Sequence, residues 1–149
     1  MRDQFMSVVK EAMKAGDKRR VATVRMIQAA LKDKDIEARG LGKTVSDDDI
    51  LALLQKMVKS RQESLGIYEQ AGREDLATQE REEIVIIQAF LPKQMSDDEV
   101  NAAIDKAIAE TGAASVKDMG KVVGALKAAF TGRMDFAKAS GLVKARLQG

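Results

Sequence analysis

The sequence predicts an all-α protein, with a four-helix N-terminal domain over residues 1–91 followed by a small three-helix C-terminal domain over 92–149. Apolar residues recur at spacings of three and four, the period of one helix face. Segment boundaries fall on glycines, on the lone proline and on Ser or Asp followed by acids, which are helix stop and start signals. The 45% hydrophobic content is mainly Ala, Val, Ile, Leu and Met, with four Phe, one Tyr and no Trp. Such an aliphatic core suits helix packing.

The first helix is expected over 3–15, with Phe5, Val9 and Met13 inward and Gly16 ending it. Asp17 then caps a second helix to about residue 38, in which Val24, Ile27 and Leu31 fall on one stripe. After the loop "RGLGKTV", Ser46 opens a third helix whose first turn holds three aspartates, where carboxylates offset the helix dipole. Ile50, Leu53, Leu54, Met57 and Val58 form its inner stripe, and Gly72 marks its end. A fourth helix near 73–90 finishes in "IVIIQAFL", a run apolar on all sides and so expected to be buried. Pro92 stops it, and "PKQMS" reads as a linker before the capping signal "SDDE". Helices over 97–111, 116–130 and 135–147 follow, separated by Gly112 and by "TGR".

Composition narrows the chemistry. With no Cys and no His, disulfides, thiolate metal sites, Ser-His and Cys-His nucleophile pairs and the usual zinc sites are all excluded. No apolar segment reaches the roughly 20 residues of a membrane span, and "MRDQFMSVVKEAMK" lacks a signal-like apolar run, so a cytoplasmic protein is expected. A net charge of +2 is mild, but residues 112–149 carry seven basic side chains against two acidic ones. "SDDD" and "EREE" resemble carboxylate clusters for Mg²⁺ or Ca²⁺, yet helix first turns attract acids in any case. The basic run "DKRRVATVR" reads as a solvated face.

The segment "SVKDMGKVVGALKAAFTGRMD" poses a specific question. Each glycine inside a helix costs roughly 1 kcal/mol against alanine. On a wheel, Val116, Met119, Val123, Leu126 and Phe130 share the core side, while Lys117, Lys121, Gly124 and Ala128 form a second stripe, with Gly120 and Lys127 on the border. Two readings remain open: a neighbouring helix packs across the glycines, or a bare cationic strip admits a bulky anion. In "TGRMD", Gly132 is expected to end the helix left-handed, Asp135 to cap the next helix, and Arg133 to project freely beside that helix N-terminus.

The segments "AALKDKDIEARG", "KMVKSRQESLGIYEQAGREDLATQEREE", "FLPKQMSDDEV" and "SVKDMGKVVGALKAAFTGRMD" resemble, in order and spacing, the YqeY-like family over nearly the whole chain. That family is related to the tail region of the B subunit of the tRNA-dependent amidotransferase, and a similar module is appended to some glutaminyl-tRNA synthetases. The resemblance implies the four-plus-three helix arrangement and a tail associated with holding tRNA, with amidation left to other domains and subunits. "DMGKVVG" carries it through Asp118, Met119, Gly120, Lys121 and Gly124. "GRMD" carries it through Gly132, Arg133 and Asp135, although Met134 replaces a usually small residue and Phe136 stands where glycine is common.

Three functions are therefore in play. The first is a non-catalytic tRNA-binding accessory protein needing no cofactor or metal, with Lys117, Lys121, Lys127, Arg133 and Lys144 on phosphates and Gly120 with Gly124 as clearance. The second is an adaptor docking the same face on an aminoacyl-tRNA synthetase or amidotransferase subunit. The third, carbon–nitrogen ligase activity of its own, lacks any nucleotide-binding loop, nucleophile–base pair or metal site in the sequence. With so few aromatics, base stacking on splayed single strands is disfavoured, and RNA would be read by backbone and shape.

Overall fold

The computed structural model describes residues 1–148, which form seven α-helices and, among the described residues, no strand. They are α1 (Arg2–Ala15), α2 (Lys18–Gly40), α3 (Asp47–Gln70), α4 (Glu74–Gln88), α5 (Asp97–Thr111), α6 (Met119–Phe130) and α7 (Phe136–Gln148). No described helix is long and apolar enough to cross a membrane. The chain folds as two compact units, Met1–Leu91 and the residues from Pro92 onward.

Local chemistry sets the helix ends. Gly16 takes φ 71°, which few other residues adopt without strain, and its N–H reaches the last carbonyls of α1. The Asp17 carboxylate accepts from the Arg20 N–H at 3.1 Å. Ser46 with Asp49, and Ser96 with Glu99, form reciprocal capping boxes at the starts of α3 and α5.

In the first unit α3 and α4 form the most extensive helix pair, α1 lies on α2, and α2 packs on α4. The core comprises Phe5, Val24, Ile27, Leu31, Ile50, Leu54 and Ile87, with Phe5 edge-on to Phe90 at 4.9 Å. Two expectations are corrected here. Met13 is 57% exposed, and Ala12 is the buried residue of that turn. Phe5, Val8 and Ala12 set the inward direction of α1, and Met13 is turned about 100° past Ala12. The apolar end of α4 is not buried on all sides either. Ile84 and Ile87 face inward, whereas Val85, on the opposite side of the helix, is 66% exposed.

The second unit closes over Ile104, Val122, Leu126, Met134, Ala139 and Val143, drawn from α5, α6, the turn after it and α7. Met134 thus has a core position. The segment expected to be one helix over 116–130 is split: Val116–Asp118 form a single 3-10 turn before α6 begins at Met119. Asp118 explains the break, because its carboxylate turns back to accept the Ala114 N–H at 3.0 Å.

Candidate nucleic-acid interface

On α6 the fully buried residues are Val122 and Leu126, with Met119, Val123 and Phe130 half-buried. Val116, expected in the core, is 38% exposed, because the 3-10 turn takes it off the helix register. Val122 lies outside the expected inner arc. Its burial turns the inward direction of the helix by roughly 35° and brings Gly124 to the middle of the outer face. Gly120, Lys121, Gly124, Lys127 and Ala128 are all exposed, so Gly120 and Lys127 belong to that face and not to its border.

The glycines face open space. A Cβ built on Gly120 or Gly124 meets no heavy atom within 4 Å apart from the helix's own backbone and the adjoining residues. Among the described residues of this unit no neighbouring helix lies across them, so packing within the unit does not account for the glycines. Their helical cost is therefore not offset by close packing. Gly124→Ala is expected to stabilise the second unit by about 0.5–1 kcal/mol, read as a higher denaturant midpoint. A lower midpoint would show that some segment does cover the position.

Two of the candidate lysines, Lys121 and Lys127, stand on this face, and Lys117 lies in the 3-10 turn that precedes α6. Lys117, Lys121, Lys127 and Lys144 are exposed and make no ion pair among the described residues, whereas Lys106, Lys138 and Arg146 each have a carboxylate partner. Lys138 reaches Asp97 at 3.3 Å, and Arg146 is held by Asp105 and by the Asn101 carbonyls. Asp118 is the acid beside the ridge. The Ala114 N–H foremost holds its carboxyl below the usual range, against the opposing effect of burial and with lesser help from Ser115 and the Lys121 charge. Its carboxylate is thereby committed to the backbone. Lys144 stands on α7.

Arg133 does not project freely. Its Nε donates to the Lys93 carbonyl at 3.1 Å and its guanidinium lies 5.9 Å from the Phe130 ring centre. The same turn accepts two further bonds from the linker, Met95 N–H to the Arg133 carbonyl and the Gln94 amide to the Gly132 carbonyl. Gly132 has φ 79°, and Asp135 caps α7 by accepting from the N–H groups of Ala137 and Lys138. The turn is a clamp for residues 93–95. Nothing local in the sequence announces it, since the partners lie about 40 residues apart.

Several members of the acidic runs have structural partners. Asp49 is spent in its capping box, Glu83 is bound by Arg61, Arg81 by Glu69 and Glu74, and Glu82 by Arg19. Among the described residues no group of three or more Asp and Glu is placed to hold a metal ion. In the basic run at the start of α2, Arg19 and Arg20 are both paired, the latter with Asp17 at 3.6 Å.

The pattern described as Yqey-like protein matches residues 2–147. Among curated proteins, the chain is similar to "Altered inheritance of mitochondria protein 41, mitochondrial" from Vanderwaltozyma polyspora, at 30% identity over 101 residues, covering 66% of this chain and 53% of the relative. The protein of the same name from Eremothecium gossypii is 32% identical over 83 residues, or 56% and 44% of the two chains. The chain thus spans about half the length of the curated relatives it matches. Since the family pattern runs from α1 to α7, the chain belongs to the YqeY-like family, which is related to the C-terminal tail of the amidotransferase B subunit.

Proposed function

We propose that this protein is a non-catalytic accessory protein that binds tRNA on the outer face of α6. The observation that carries the reading is the pair of glycines open to solvent amid lysines without ion-pair partners. A strip without side chains lets a sugar-phosphate backbone approach the helix, and Lys117, Lys121 and Lys127 neutralise phosphates beside it. Lys144 contributes from α7, while Arg133 acts by fixing the turn that ends α6. Kinship with the tail of a tRNA-dependent amidotransferase subunit supports the same partner. The cytoplasmic location read from the sequence belongs to this proposal too; the curated relatives carry a mitochondrial label of their own.

Four neutralised phosphates predict a slope of about −2.8 to −3.6 in log affinity against log salt, so raising salt fourfold weakens binding of total tRNA by about 50- to 150-fold. Lys121→Glu is expected to weaken binding and flatten the slope by at least about one, with the thermal midpoint unchanged. Gly124→Leu should weaken binding with the slope retained, because it removes room and not charge. Affinity that stays flat with salt refutes the reading. Amidation of mischarged tRNA by the isolated chain would refute its non-catalytic part.

A further inference from the structure

The first unit contains a second surface of different character. Helices α2 and α3 barely touch, and between them, over the loop that joins them, lies an open groove of about 380 Å³. Its floor is apolar, made by Ala38, Val45 and Leu53, and its rim carries Leu41, which is 67% exposed. Lys43 borders it on the loop and Lys56 on α3, and neither makes an ion pair among the described residues. The lining holds three ammonium groups, Lys34, Lys43 and Lys56, against two carboxylates, Glu37 and Asp49, so its charge is net positive by one. Glu37 lies 3.9 Å from Lys34, and Asp49 accepts the Ser46 N–H at 3.0 Å. Hydrogen bonds from Ser46, foremost its backbone N–H, hold the Asp49 carboxyl below its usual range.

We propose that this groove docks an acidic amphipathic helix of a partner protein. Charge complementarity selects the occupant: an apolar floor bordered by two free ammonium groups is matched by apolar anchors bordered by carboxylates. From Asp49 to Lys56 the α3 wall runs roughly 10 Å, two helical turns. That length seats two apolar side chains at i and i+4, with an acidic residue before and after them. A nucleic acid would leave the floor and Leu41 unmatched, and a basic helix would face Lys43 and Lys56 with like charge. The inference rests on the first unit alone and is independent of the α6 ridge.

The test uses the full chain and a fluorescently labelled synthetic helical peptide bearing leucines at i and i+4 flanked by glutamates, read by anisotropy. Saturable binding is expected, weakened at least about tenfold by Lys43→Glu with Lys56→Glu and by Leu41→Asp, with thermal midpoints unchanged. A peptide with lysines in place of the glutamates should bind the charge-reversed double variant and not the native chain. That exchange separates charge-directed docking from adhesion to an apolar patch. No saturable binding at millimolar peptide, equal binding of the basic peptide to the native chain, or native affinity in the variants would each overturn the proposal.

Discussion

Ile104→Ala is expected to leave α5, α6 and α7 only marginally stable at room temperature, seen as loss of slow-exchanging amides throughout the second unit. Ile104 is fully buried at the centre of that core, packed with Val122, Leu126 and Val143. Truncating such a side chain costs about 2–5 kcal/mol in lost transfer energy and residual cavity. A core of fewer than 60 residues rarely supplies more than about 3–5 kcal/mol. The two figures are of the same size, so one substitution consumes most of the stability holding the ridge. Ile104→Val, at about 0.5–1.5 kcal/mol, should keep the fold and serve as the control. Full amide protection in Ile104→Ala would show that these helices do not share one cooperative core. Loss of tRNA binding in this variant would report on folding, whereas Lys121→Glu reports on contact.

Helix existence and ends are legible because they are written in local chemistry. Ser46 and Ser96 each stand three residues before an acid, and Gly16 and Gly112 take the left-handed caps that only glycine adopts cheaply. Helix rotation is less legible. Periodicity marks a stripe about 100° wide, but which edge of it points inward depends on where the neighbouring helices lie. Met13, Val85 and Val116 all sit at or beyond that edge and lie outside, while Val122 lies inside. Alanine hides the rest of the signal: Ala12, Ala103, Ala107 and Ala139 are buried, yet contribute little to any apolar pattern.

The same distinction divides the candidate site. Gly120, Lys121, Gly124 and Lys127 lie within eight residues of one helix, so their common face follows from helical geometry alone. The place of Arg133 does not, because its partners, Lys93 and Phe130, come from the linker and from the helix end, and only folding brings them together. The groove over Lys43 and Lys56 leaves no trace in the sequence for a related reason. It exists because α2 and α3 both pack on α4 and hardly touch each other, an arrangement that neither helix's own sequence encodes.

Glu83→Ala is expected to destabilise the first unit by about 2–3 kcal/mol in chemical denaturation. Glu83 is buried and accepts from Arg61 Nε at 2.9 Å and from the Gln79 amide at 3.2 Å. Removing it strands a guanidinium whose side chain is only 16% exposed, and that residual exposure keeps the cost below that of a fully buried pair. Replacing both partners, Arg61→Leu with Glu83→Leu, should recover most of the loss, since no charge is then left without its counterpart. Glu80 modulates the effect. Its Oε2 is buried without a hydrogen-bond partner among the described residues, and burial foremost, with the Glu83 charge, raises its carboxyl above the ordinary range. A carboxyl raised in the folded state opposes folding above its folded pKa, and the penalty disappears below its unfolded value near about 4.3. Glu80→Gln is therefore expected to stabilise the native chain at neutral pH and to make no difference in acid. In the Glu83→Ala background its sign should reverse, because the Arg61 charge already favours the ionised Glu80 and then lacks its Glu83 partner, and the double variant should lose more than the sum of the singles. Strictly additive values would mean that Glu80 and Arg61 do not communicate.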